Sequence, residues 1–255
     1  MECVDGGQTL HNSFEIKQAG DSSLLVQFRD EISPEINAAV RRLDYAFNKM
    51  NIPGIIETVP AYCSLLIIFD PLALDIEVLR QTIVDIGKSF NFSALPQPIV
   101  TTIPVCYGGS FGPDLDFVCQ YTHLTKEEVI ALHSERNYLI YMLGFLPGFP
   151  YLGGIDKRLT VPRLDTPRIS VHSGSVGIAN NQTGIYPVES PGGWRIIGRT
   201  PLNVYDPFRK PPVLFDAGNY LRFKPINAQE YESIRKQVEA GTYKLETQDV
   251  KGRAV

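Results

Sequence analysis

The stretch Leu139–Asp206, LIYMLGFLPGFPYLGGIDKRLTVPRLDTPRISVHSGSVGIANNQTGIYPVESPGGWRIIGRTPLNVYD, alternates short apolar pieces with glycine and proline. Glycine tolerates positive φ and close backbone approach, whereas proline fixes φ and removes a donor, so their alternation specifies turns and strand ends. Gly144, Pro147, Gly148, Pro150, Gly153 and Gly154 form one cluster, and Pro187, Pro191, Gly192 and Gly193 form another. Between them Ile169–Ala179 reads as strand, with turn residues at Ser173 and Gly174. This punctuation predicts a compact β-barrel.

The same stretch carries Arg158, Arg163, Arg168, Arg195 and Arg199 on or beside those turns. Guanidinium forks match carboxylate and phosphate geometry, and polar groups on turns of a rigid scaffold are where binding residues concentrate. A small-anion pocket is one reading. The other is ion pairing with Asp156, Asp165 and Glu189 at strand ends. Gln182 and Thr183 could hydrogen-bond a polar ligand or build the turn before Gly184, and Tyr186 and Trp194 could wall a ring pocket or fill the core.

Upstream, the chain reads as a smaller α/β module. Phe14–Phe28 offers two strands around Gly20, Asp21 and Ser22, and Ser33 caps a helix with Pro34 at its first position. Ile36, Val40, Leu43 and Phe47 fall on one face of that helix. Gly54–Val59 and Ser64–Phe69 supply two more strands, and a second helix follows from Asp75 with Ile76, Leu79, Ile83, Ile86 and Phe90 as its core stripe. Strand, strand, helix, strand, strand, helix predicts a two-layer α/β sandwich over residues 1–98. After the proline-broken connection Ala94–Pro98, a strand over Ile99–Tyr107 opens a second module, residues 99–255. Two short helices follow, Pro113–Tyr121 and Thr125–Glu135, the latter opening with the capping-box pattern Thr125 to Glu128. His133 lies on the apolar side of that helix, where an imidazole serves either as a general base or as a hydrogen-bonded core group.

Composition excludes several classes. The 255 residues carry a formal net charge of −4 with 44% hydrophobic and 20% charged residues, ordinary for a globular protein and unsuited to a nucleic-acid partner. Apolar runs such as Ser64–Phe69 are far shorter than the roughly 20 residues of a membrane span, and MECVDGGQ opens acidic without an apolar leader, which together predict a cytoplasmic protein. Cys3, Cys63, Cys106 and Cys119 are scattered without a CxxC pair or a nearby histidine, so neither a disulfide framework nor a metal site is expected. No phosphate loop, GxGxxG, GxSxG elbow or HExxH occurs.

The phrases GFLPGFPYLGG, VPRLDTPR, SGSVGI, NQTGIYP and SPGGWRIIGRTP resemble the signature of the family formed by the B subunits of 5-oxoprolinase, also described as allophanate hydrolase subunit 1. The resemblance implies a cyclophilin-like β-barrel for the second module, hence an α+β chain. It also implies work with the C and A subunits of 5-oxoprolinase, together cleaving 5-oxo-L-proline to L-glutamate at the expense of ATP, with magnesium, bound in the assembled complex. A lactam is a stable amide, and phosphorylating its oxygen makes the ring carbon electrophilic; holding a carboxylate beside a triphosphate suits clustered guanidiniums. On this reading Arg163, Arg168, Arg199 and His133 are the catalytic candidates, and Gln182, Thr183, Tyr186, Trp194 and His172 the substrate-binding ones. Where relatives commonly read VPAGSVGIAG this chain has VHSGSVGIAN, placing His172 and Ser173 at the Pro-Ala pair and Asn180 at the later glycine; Asn tolerates the left-handed conformation. A branch of the family is described as a protein inhibitor of a sporulation sensor histidine kinase, which leaves binding without chemistry as the alternative. A third alternative is an assembly acting on urea-derived amides.

Overall fold

The computed structural model describes residues 13–88 and 95–253; Cys3, Phe90 and Ala94 lie outside them. The chain divides between Gln97 and Pro98 into two compact units.

In the first unit, strands β1 (Phe14–Gln18), β2 (Ser23–Phe28), β3 (Ile55–Pro60) and β4 (Ser64–Phe69) form an antiparallel sheet in the order β1-β2-β4-β3. Alternate residues Leu24, Val26 and Phe28 of β2 and Leu65, Ile67 and Phe69 of β4 are buried on one face, as a two-residue period requires. Helices α1 (Pro34–Met50) and α2 (Ile76–Lys88) cover that face with Ile36, Ala39, Val40, Leu43 and Phe47 from one and Leu79, Ile83 and Ile86 from the other. The Ser33 hydroxyl accepts from Ile36 N–H at 3.2 Å, with Pro34 behind it in the first turn. This is the expected two-layer sandwich.

The second unit begins with β5 (Ile99–Tyr107), α3 (Leu115–Thr122), α4 (Lys126–Ser134), β6 (Asn137–Leu143) and β7 (Pro150–Gly153). It continues through β8 (Arg168–Val171), β9 (Ser175–Ala179), β10 (Gln182–Ile185), β11 (Ser190–Gly192), β12 (Arg195–Arg199), β13 (Tyr220–Ile226), α5 (Ala228–Glu239) and β14 (Thr247–Asp249). Strands β5, β12, β9, β10, β7, β6 and β13 close into a barrel, with β14 attached to β5. Every pairing is antiparallel except β13 with β5, which run parallel from Val100 and Tyr220 to Cys106 and Ile226. The interior is filled by Ile103, Val105, Ile140, Leu152, Val176, Ile178, Ile185, Ile197, Leu221 and Phe223. The chain is therefore α+β, with the barrel expected from its turn pattern.

The stretch that reads as one strand with a turn is divided. Its first half, β8, leaves the barrel and pairs with β11 as a separate ribbon, whereas its second half, β9, is a barrel strand buried at all of its positions. Gly174 makes the turn between them at φ +79°, where an added Cβ would stand 2.5 Å from the Thr200 carbonyl oxygen. Asn180, at φ 51°, adopts the left-handed conformation that asparagine tolerates. The Thr125 hydroxyl accepts from Glu128 N–H, and the Glu128 carboxylate accepts from Thr125 N–H, completing the capping box.

Ile83 and Phe47 have no more than 2% of their surface exposed, so replacing either with alanine leaves a cavity that the sandwich cannot fill. Urea denaturation should show a loss of about 2–5 kcal/mol for each.

Candidate functional site

On the outer wall of the barrel the glycine- and proline-rich segments wrap a satellite core of Phe149, Val171, Ala179, Tyr186, Trp194 and Ile196. Strand alternation puts them there: Ile178, Ile185 and Ile197 point inward, so Ala179, Tyr186 and Ile196 point out. Phe149 presents its edge to Tyr186 and to Trp194, each at 5.4 Å between centroids. Tyr186 and Trp194 are thereby the floor of this region, 1% and 4% exposed, and not free walls of an open pocket. Burial raises the Tyr186 phenol pKa against the opposing pull of the Trp194 backbone N–H, Arg163 and Arg168.

The arginines have different fates, set by whether a carboxylate is in reach. Arg168 donates to Asp114 Oδ1 at 2.8 Å and to the Trp194 carbonyl at 3.4 Å, while Asp114 Oδ2 accepts from Ile196 N–H at 2.6 Å. This clip ties the residue ahead of α3 to β8 and β12. Arg158 and Arg136 both pair with Asp156, whose carboxyl is held well below the usual carboxylate range, first by its hydrogen bonds from Arg158. Arg195 stacks its guanidinium over Phe117, 3.6 Å from the ring centroid. Among the described residues Glu189 meets no arginine; it accepts from the Ser170 hydroxyl at 2.6 Å and lies 3.9 Å from exposed His172 Nδ1.

Arg163 and Arg199 differ from these. Arg163 is exposed beside the Tyr151 and Tyr186 hydroxyls and makes no hydrogen bond or ion pair among the described residues. Arg199 lies elsewhere, beside Tyr231 of α5, and its Nε is buried without an acceptor. The structure thus gathers Arg163 and Arg168 around Tyr186 and gives Arg199 separate surroundings, whereas the sequence treats all three as one cluster.

His133 and Thr183 are interior groups with no exposed surface. The Thr183 hydroxyl donates to the Gly177 carbonyl at 3.0 Å, so its oxygen accepts from His133 Nε2–H at 2.8 Å. His133 Nδ1 is then the acceptor for the Tyr107 hydroxyl at 2.7 Å. The imidazole also stacks on Phe223, 4.4 Å between centroids. Both nitrogens are used and the ring is sealed, so a general-base role for His133 and a substrate contact for Thr183 do not fit this geometry; of the two sequence readings of His133, the core one fits. Gln182 is half-buried at the start of β10, opposite Ala179. Tyr107, Asp114 and Tyr231 escape sequence reading, because their partners lie tens of residues away and no local pattern marks them.

Burial lowers the His133 pKa from 6.5 to about 3, with a further push from Arg136. Between these values the unfolded chain binds a proton that the folded barrel refuses, so stability is complete above about pH 6.5 and falls as pH drops, by at most about 1.4 kcal/mol per unit. Denaturation midpoints measured at about pH 7 and about pH 5 should converge in His133→Gln relative to the parent chain; an equal pH dependence in both would contradict the assignment. Asp114→Ala should cost about 2–3 kcal/mol and Arg168→Ala less, because only the former also orphans the buried Ile196 N–H. Equal losses in thermal unfolding would show that the clip acts through Arg168 alone.

Residues 14–215 match the family model described as carboxyltransferase domain, subdomain C and D. The chain is 37% identical over 238 residues to the B subunit of 5-oxoprolinase from Bacillus subtilis (strain 168), covering 88% of this chain and 98% of that protein. It is 35% identical over 209 residues to the B subunit of 5-oxoprolinase from Escherichia coli O157:H7, covering 81% and 93%. The crystal structure of the K. lactis urea amidolyase superposes with a TM-score of 0.80 over 98% of this chain and 17% of that one; at 20% identity this speaks for the fold alone. With near-complete coverage of two such relatives and a matching fold, the chain belongs to the carboxyltransferase subdomain C and D family and, within it, to the B subunits of 5-oxoprolinase.

Proposed function

We propose that this protein is the B subunit of an ATP-dependent 5-oxoprolinase of the cytoplasm, acting with the C and A subunits of that enzyme to open 5-oxo-L-proline to L-glutamate. The observation that carries this reading is the 37% identity over 98% of the Bacillus subtilis protein. Ring opening adds water across the lactam C–N bond: the carbonyl carbon becomes the side-chain carboxylate and the nitrogen the amino group.

Among the described residues no group of three or more His, Cys, Asp or Glu gathers where a metal ion could sit, so no cluster of acidic or histidine ligands there marks a magnesium triphosphate site. A groove of about 270 Å³ between β5, β13 and α5 is lined by Lys224, Glu230 and Glu246 and holds no arginine. The nucleotide belongs to the assembled complex.

What the chain offers is a cation on an aromatic floor. Of the signature arginines around Tyr186, Arg168 is paired with Asp114 and Arg195 lies on the Phe117 ring, whereas Arg163 has neither a carboxylate nor a ring face among the described residues. Arg163 takes the carboxylate that 5-oxoproline carries next to its ring nitrogen. Trp194 and Tyr186, each packed at right angles to Phe149, keep the floor rigid.

The purified chain alone should show no 5-oxoproline-dependent ATP hydrolysis, should co-elute with the C subunit on size exclusion, and should turn over once the A subunit is added. Arg163→Ala in that complex should raise KM about 10-fold or more, the worth of a charge-assisted hydrogen bond, with an unchanged melting temperature. Turnover by the lone chain would overturn the subunit reading. A stable chain that ignores the C subunit and instead captures a sensor histidine kinase would favour inhibition by binding.

A further inference from the structure

Arg199 ends β12 in register with Ser175 of β9 and Cys106 of β5. The turn at Gly174 runs near its stem: a Cβ added there would lie 3.5 Å from Arg199 Cγ, an ordinary contact distance. Tyr231, 7% exposed on α5, brings its hydroxyl within hydrogen-bonding reach of the guanidinium, and its ring packs on Phe111 at 4.6 Å between centroids.

No acid among the described residues compensates its charge. Arg199 makes no ion pair among the described residues, and its Nε is buried without an acceptor. The acidic residues that α5 brings to this end are engaged: Glu232 and Glu239 pair with Arg235, and Glu230 accepts from Asn227 N–H at the helix start. A partly buried charge is ordinarily paired, because desolvation without a partner is costly. Among the described residues no acid answers it, which leaves the position open to an anion.

We propose that Arg199, presented by Tyr231, is an oxyanion-binding point between β12 and α5, built separately from the Arg163 region and taking a carboxylate or a phosphate group. Tyr231 is its positioning residue. The guanidinium faces a neutral hydroxyl, which can orient the fork without neutralising it.

The test is read on the lone chain, so it does not depend on the 5-oxoprolinase reading. In a ¹⁵N-labelled sample the Arg199 Nε–H resonance is identified by its loss in Arg199→Lys. It should shift saturably on titration with inorganic phosphate or with 5-oxoproline, and not with chloride at equal ionic strength; whichever probe saturates names the source of the oxyanion. Tyr231→Phe should weaken that binding about fivefold, as expected for one neutral hydrogen bond, and Arg163→Ala should leave it in place. A resonance that moves with neither probe overturns the site, loss of the response in Arg163→Ala overturns its separateness, and a Tyr231→Phe titration identical to the parent's removes Tyr231 from it.

Discussion

The barrel depends on one strand having both of its edges occupied. Along one side of β5 the parallel strand β13 pairs from Val100 to Cys106. Along the other, β14 takes Ile99 to Thr101 and β12 takes Cys106 and Tyr107. Because side chains alternate along a strand, this double register decides which β5 residues face inward. Ile103 and Val105 enter the apolar interior, and Tyr107 reaches His133. A slip by one residue would withdraw that hydroxyl from the imidazole and leave a buried nitrogen unpaired.

Local chemistry was legible and long-range pairing was not. Ser33 before Pro34, the Thr125 to Glu128 spacing and Asn180 in place of glycine each announce a backbone conformation from adjacent residues alone, and the structure has all three. The departure of β8 from the barrel was not legible, since a turn at Ser173 and Gly174 looks the same whether the strands it joins share a sheet or not. The Asp114 to Arg168 pair spans 54 positions and the His133 to Thr183 contact spans 50. Hydrophobic period gives the buried side of the α4 helix, and so the burial of His133, but it cannot name the hydroxyls waiting there.

The arginines make the same point in electrostatic terms. They look alike in sequence, yet Arg158 and Arg168 are spent on carboxylates, Arg195 on a phenyl face, and Arg163 and Arg199 on no acid among the described residues. Composition counts guanidiniums. Function is carried by the ones whose counter-charge the fold has withheld, and that difference exists only once Asp114 and Asp156 have been brought into position.

The parallel strand β13 has a consequence for how this protein is made. It lies at Tyr220–Ile226, after every other strand of the closed barrel. As the chain emerges from the ribosome, β5 waits with an unpaired backbone edge until residues roughly a hundred positions downstream arrive, and β6 waits nearly as long. Open edges are templates for pairing with other chains, and late non-local closure is slow. The nascent second unit therefore keeps strand edges open until late in synthesis, whereas the first unit, whose sheet is complete by Phe69 and whose second helix follows directly, is ready to fold well before it.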